Sequence, residues 1–253
     1  MKPQNLQSRA PECIKNAGAF IFDFDGTLYD PKHFVRRLLF GGPPGGRFSV
    51  PEIRLIGAER KTRKEFSGCD YGGAEPYYER FFAALERQVR GFPLMTPALH
   101  EAGGLRQWYF NRYMPRMTAV LGHYYSPRPG AAEFFQFLAD GNIPRAVYSD
   151  YPQVRERLEA IGLDPGLCGL LFGPESFGAQ KPAAAPFLSI AASLGREPGR
   201  TLVVGDKDSA DGAGARAAGM MYLRITPGSF GELSGFFNTA PSGPWSAAAG
   251  MSR

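Results

Sequence analysis

The chain has 253 residues, 43% hydrophobic and 21% charged, with Lys and Arg outnumbering Asp and Glu for a net charge of +5; this is the balance of a soluble globular protein long enough for one large domain or two smaller ones. No run approaches the ~18 apolar residues that span a bilayer, and the polar stretch from Met1 to Gly18 lacks a signal-peptide core, so a cytoplasmic protein with no membrane partner is expected. Cys13, Cys69 and Cys168 are scattered and odd in number, which argues against a disulfide framework or a zinc site.

The first element is the apolar run Ala19 to Phe22, which leads into Asp23, Asp25, Gly26 and Thr27. It is too short for a buried helix and reads as a strand covered on both faces. The chain then turns helical over residues 31–127, too long an interval for a single crossover. A loop, Gly41 to Gly46, precedes Ser49-Val50-Pro51-Glu52, whose S-x-x-E form predicts a capped helix start. Within that helix the cluster Arg60-Lys61-Thr62-Arg63-Lys64 reads as a solvated face; without a recognised binding motif it does not indicate a nucleic-acid partner. Tyr78, Phe81, Phe82, Leu85 and Val89 mark one face of a second helix, and Leu105, Trp108, Tyr109, Arg112 and Tyr113 a third, which Pro115 is expected to end or kink.

Strands then alternate with helices. Helical patterns run from Gly130 to Asp140, Pro152 to Ile161 and Ala183 to Leu194, and strand-like runs lie at Ile143 to Tyr148, Leu202 to Val204 and Met220 to Ile225. This alternation predicts an α/β fold, a Rossmann-like doubly wound parallel sheet with an inserted α-helical cap domain. The expected division is a core of residues 17–30 and 128–236, a cap of 31–127, and flexible termini at 1–16 and 237–253.

In a parallel sheet chemistry gathers at the carboxyl ends of the strands. Three of the expected strand ends are polar: Asp23 with Asp25, Ser149, and Gly205-Asp206. Asp23, Asp25 and Asp206 in one crevice would repel each other unless a cation lay among them, and hard carboxylate oxygens without His or Cys point to Mg²⁺. Such a metal suits a phosphorylated substrate, whose oxygens Ser149, nearby backbone amides and a lysine such as Lys181 could bind. One aspartate would then attack phosphorus, and the other would protonate the leaving oxygen and later activate water.

Asp23-Phe24-Asp25-Gly26-Thr27-Leu28, Ser149, Lys181-Pro182, Gly205-Asp206 and Asp211 occur in the order of four motifs, and "VVGDKDSADGAGARAAGM" is characteristic of the fourth. The chain resembles the haloacid dehalogenase (HAD) superfamily, in the phosphatase branch (phosphoglycolate phosphatase and β-phosphoglucomutase-like) whose helical cap follows the first strand. The resemblance implies that Asp23 is nucleophile and metal ligand, and that Asp25 is acid/base and ligates through its carbonyl. It further implies that Asp206 is the third protein ligand and that Asp211 holds a metal-bound water. Ser149, Asp150 and Lys181 would bind the phosphate, with Ser149 and Lys181 counted in the catalytic set and Lys181 also offsetting the charge of Asp23. Asp150, Lys207 and Ala183 depart from the residues common at their positions. An Mg²⁺-dependent hydrolase of a small phosphorylated metabolite is expected, as a monomer or homodimer. A phosphotransferase on the same core and a non-catalytic binding protein are the alternatives. Asp25 argues against carbon-attacking dehalogenases, and no catalytic group is missing. His33, His100 and His123 are dispersed and carry no assignment.

Overall fold

The computed structural model describes residues 16–41, 48–91, 103–226 and 228–233, together with 14, 99 and 101. Five parallel strands form one sheet: β1 (Ala19–Asp23), β2 (Arg145–Tyr148), β3 (Leu170–Phe172), β4 (Thr201–Gly205) and β5 (Met221–Arg224), in the order β3-β2-β1-β4-β5. The first strand is central, pairing Asp23 with Tyr148 on one side and Phe22 with Val204 on the other. Every residue of β1 and β4 is buried, as expected of strands covered on both faces. Alternation divides them. Phe20 and Phe22 pack with Phe134, Phe135 and Phe230 on one face, while Ile21 joins Tyr148, Phe187 and Ile190 on the other.

The insertion contributes α1 (Phe34–Phe40), α2 (Val50–Glu65), α3 (Ala74–Val89), α4 (Gly104–Trp108) and α5 (Met114–Tyr124). Ser49 caps α2 as its sequence predicts: its hydroxyl accepts from the Glu52 amide, and the Glu52 carboxylate accepts from the Ser49 amide at 2.7 Å. These helices share a hydrophobic cluster of their own, built on Leu55, Tyr77, Phe81, Trp108, Tyr109, Tyr113 and Met117.

Pro115 neither ends nor breaks its helix. Residues Tyr109–Tyr113 form a π-helical turn between α4 and α5, in which the Met114 amide reaches back to the Tyr109 carbonyl. The wider turn makes room for a proline ring that an unbroken α-helix would press against the carbonyl four residues back. The solvated-face reading of the basic cluster holds for Arg60, Lys61 and Lys64, which are exposed, but not for Thr62 and Arg63, which turn inward.

The remaining helices are α6 (Ala131–Asp140), α7 (Val154–Ala160), α8 (Pro165–Cys168), α9 (Pro174–Phe177), α10 (Ala184–Ser193) and α11 (Ala213–Ala217), the last entered through a π-helical turn over Asp208–Gly212. The predicted strand from Ile143 begins two residues later, after Pro144, which has no amide to donate to the ladder. Among the described residues no helix is long and apolar enough to cross a membrane. Cys69 and Cys168 are free thiols, pushed up by burial to about 11 and about 12. Cys13, His100, the glycines from 42 to 46 and the tail from residue 240 lie outside the described residues.

Candidate active site

The carboxyl ends of the two central strands put Asp23 and Asp206 side by side, because β1 and β4 pair in register up to Phe22 and Val204. The π-helical turn after β4 adds Asp211, whose carboxylate folds back to accept from the Lys207 amide at 3.1 Å. One carboxylate oxygen from each of Asp23, Asp206 and Asp211 can be chosen so that all lie within 4.8 Å of one another. Two glycines permit this. A Cβ on Gly26, whose φ is +95°, would strike the Asp206 carboxylate, and one on Gly205 would strike that of Asp211.

Lys181 is the counter-charge. Its ammonium donates to Asp23 Oδ1 and, at 2.8 Å, to Asp211 Oδ1, while the second oxygen of Asp23 accepts from the Thr27 hydroxyl at 2.7 Å. Burial works against the charge of Lys181, but Asp211 and Asp23 outweigh it and hold the ammonium well above the ordinary lysine range. Asp23 is pushed up to about 6, first by burial and then by Asp211, with Lys181 opposing. Burial and the charge of Asp23 also raise Asp206, whose Oδ1 is buried with no hydrogen-bond partner among the described residues. Three clustered carboxylates, one carrying an unpartnered oxygen, are a donor set suited to a hard divalent cation.

The Asp25 side chain does not join this cluster. It turns toward the end of β2, where its Oδ2 accepts from the Ser149 hydroxyl at 3.0 Å and its Oδ1 accepts from the Tyr29 hydroxyl at 2.9 Å and from Arg157. Burial alone would raise its carboxyl, but Arg157 and these hydrogen bonds outweigh that and hold it below the usual range. Ser149 therefore sits between Asp25 and Arg157, and its oxygen also accepts from the Tyr151 amide at 3.1 Å. Asp150 lies beside it with its carboxylate committed to the Lys181 main-chain amide at 2.9 Å, which ties the β2 loop to the lysine loop. Burial raises the Asp150 carboxyl.

The helical insertion contacts the loop that carries Lys181. The segment after α2 pairs with the lysine loop through Gly68 N to Lys181 O, Gln180 N to Cys69 O and Tyr71 N to Gly178 O, each at 3.0 Å. With its amide nitrogen toward the Arg63 carbonyl, Gln180 accepts from Tyr77 and Arg63 as well. Arg63 is fully engaged with Glu59, the Tyr109 hydroxyl and the Asp150 carbonyl, and it stacks 3.9 Å from the Tyr151 ring.

A haloacid dehalogenase-like hydrolase family model matches residues 17–219. The chain belongs to the haloacid dehalogenase-like hydrolase family. It is 42% identical over 208 residues to a phosphoglycolate phosphatase of Aquifex aeolicus, covering 81% of this chain and 83% of that one. A ribulose-1,5-bisphosphate 5-phosphatase of Halopiger xanaduensis is 26% identical, covering 83% and 85% of the two chains. The fold is also that of CbbY from Rhodobacter sphaeroides in complex with phosphate, with a TM-score of 0.55 and 19% identity over 85% of this chain and 88% of that one. Membership makes the chain an enzyme of the hydrolase class.

Three residues that contact the two aspartates of β1 and its loop carry no role from the sequence: Thr27, Tyr29 and Arg157. Tyr29 stands one helical turn beyond Asp25, a spacing that offers the carboxylate a donor. Arg157 falls at i+3 from Val154 and i−1 from Leu158, so it is a charge inside the apolar stripe of α7, and that misfit is the signal.

Proposed function

We propose that this enzyme hydrolyses a small phosphomonoester with the help of Mg²⁺ through an aspartyl-phosphate on Asp23. The observation that supports this best is the junction at Asp23, where Lys181 and two further carboxylates meet at the ends of the central strands. Asp23, Asp206 and the Asp25 carbonyl would hold the metal, with Asp211 holding its water. Bound there, the cation would neutralise carboxylates and phosphate together and draw electron density from phosphorus.

The chain's own residues would do the rest. Thr27 and Lys181 fix both oxygens of Asp23, so that its carboxylate meets an incoming phosphate in one orientation. Ser149 and Lys181 would bind the non-bridging oxygens, and the backbone amide of Asp150 would extend that cradle. Asp23 would attack phosphorus as the ester oxygen leaves with a proton from Asp25 in its protonated form, the minority form while Arg157 pairs with it. Asp25, now a carboxylate, would take a proton from the water that attacks the acyl phosphate, and Asp23 and inorganic phosphate are released.

Residues 31–127 are proposed as a cap domain over a core of 17–30 and 128–236. The hydrophobic cluster built by most of these helices supports this reading, with Leu121 packing instead into the cluster of the sheet. Closure of such a cap would exclude bulk water from the acyl phosphate. The names of the relatives make 2-phosphoglycolate the first substrate to try and ribulose 1,5-bisphosphate the second, in a cytoplasmic setting. The test is phosphate release from a panel of phosphomonoesters with Mg²⁺ and with EDTA. Release that requires the metal supports the reading; no release from any ester, or full release in EDTA, overturns it.

A further inference from the structure

A guanidinium taken wholly out of water is expensive unless charge and hydrogen bonds repay it. Arg157 is 0% exposed, on a seven-residue helix whose other inward residues are apolar, where a leucine would bury more simply. What it meets is specific. One terminal nitrogen donates to Asp25 Oδ1, the other donates to Ser149 Oγ at 2.9 Å, and its Cζ lies 4.2 Å from the centre of the Phe24 ring. Its Nε has no hydrogen-bond partner among the described residues, so the side chain is not placed to satisfy itself fully. The planar fork holds two groups at once, each at the end of a different strand.

The geometry points to Arg157 as a positioning residue that locks the Asp25 carboxylate and the Ser149 hydroxyl into one unit. It touches neither Asp23 nor the carboxylate cluster, and it acts through the two side chains it grips. The Ser149–Asp25 hydrogen bond closes a triangle with it, so moving any corner moves the others. The unit fixes the acid/base group relative to the serine that meets the phosphate, which is the registry that proton delivery to a leaving oxygen requires. The Phe24 ring packs against the guanidinium.

This inference rests on the proposed phosphatase reading, and its test separates the two. Phenyl phosphate and p-nitrophenyl phosphate have nearly the same shape, but nitrophenolate leaves with little protonation. The ratio of their kcat/KM values isolates proton delivery in the step that expels the leaving group. In Arg157→Met the phenyl to nitrophenyl ratio is expected to fall at least tenfold below wild type, within the roughly 10²–10⁴-fold range of general acid catalysis. An equal loss on both esters, or no loss, overturns the proposal and makes Arg157 structural. If Arg157→Met does not fold, Arg157→Lys is read by the same ratio, with the same two outcomes. Wild-type enzyme that cleaves neither ester counts against the phosphatase reading alone. In that case a crystal structure of the variant decides: an Asp25 side chain displaced from Ser149 supports the positioning role, and an unchanged 3.0 Å contact overturns it.

Discussion

Arg63 in the helical insertion donates to the main-chain carbonyl of Asp150 at 2.6 Å, so the insertion is tied to the loop after β2 one residue beyond Ser149. The same guanidinium neutralises Glu59, which is buried at 0% exposure and also accepts from the Tyr113 hydroxyl at 3.3 Å. One cation thus serves both the inserted helices and the loop after β2. Its donors are spent on Glu59, Tyr109, Asp150 and Gln180, which leaves Arg63 tying the insertion to the sheet-bearing part of the chain.

Arg63→Met is expected to destabilise the protein by roughly 3–5 kcal/mol, because it strands a buried carboxylate. Adding Glu59→Gln should restore most of that stability, since the uncompensated charge is gone. The docking contact stays lost in the double variant. Its KM should therefore remain about tenfold high, equivalent to ~1.4 kcal/mol, with faster hydrogen exchange at 66–72 and 178–181. Wild-type exchange and KM in the double variant would show that Arg63 supports the cap's interior only.

Asp23 carries a testable pH dependence. Its carboxyl is held at about 6, above the value of 3.8 for an unperturbed aspartate, by burial and by Asp211. The folded state therefore binds more protons than the unfolded chain between those values, and the metal-free protein loses stability as pH rises from about 4 to about 6. Asp23→Asn removes this cost and leaves Lys181 its pairing with Asp211. In EDTA at pH 7.5 the variant should melt higher than wild type, by on the order of 4 °C, while losing turnover. The gap should close by pH 4, and a gap that widens on acidification would contradict the account.

Four of the five strands and the polar residues at their ends were legible in the sequence because buried parallel strands are continuous apolar runs, whereas the order of the strands in the sheet came only from the structure. Strand β3 was not legible: Leu170–Phe172 is three residues long with Leu170 exposed at the sheet edge, too little for a pattern to show. Of the two outcomes expected at Pro115, an end did not occur: the helix continues, distorted by a π-helical turn just before the ring that no local sequence cue announces. Arg63 read as solvated because its partner Glu59 lies four residues earlier on the same helix, and only the packed structure shows that both face inward. The roles of Gly26 and Gly205 depend on Asp206 and Asp211, which the fold alone brings against them.

Gly26→Ala tests the close approach of β1 and β4 loops. The new Cβ would need the left-handed φ of +95° and would overlap the Asp206 carboxylate. The strain is worth of order 1–3 kcal/mol, and relieving it moves Asp206 away from Asp23. Both a lower melting temperature and a metal affinity at least tenfold weaker are expected by calorimetry. A loss of stability with unchanged metal affinity would mean that Asp206 is not a ligand.

The charge balance of the cluster predicts what it takes up. Asp23, Asp206 and Asp211, when ionised around the single ammonium of Lys181, leave two negative charges, which one divalent cation would cancel. Binding should draw Asp23 fully into its charged form, because a cation offsets the burial and the repulsion from Asp211 that raise it. At a hundred times its dissociation constant a ligand specific to the folded state adds about 2.7 kcal/mol, so saturating Mg²⁺ at pH 7.5 should raise the melting temperature by roughly 5–10 °C. Asp206→Asn removes a ligand and a charge, and most of that gain should vanish with it. Asp208→Asn is the control, since that carboxylate is exposed and paired with Arg216 at 2.9 Å, outside the cluster. Equal Mg²⁺ responses in the two variants would place the metal somewhere other than the ends of β1 and β4.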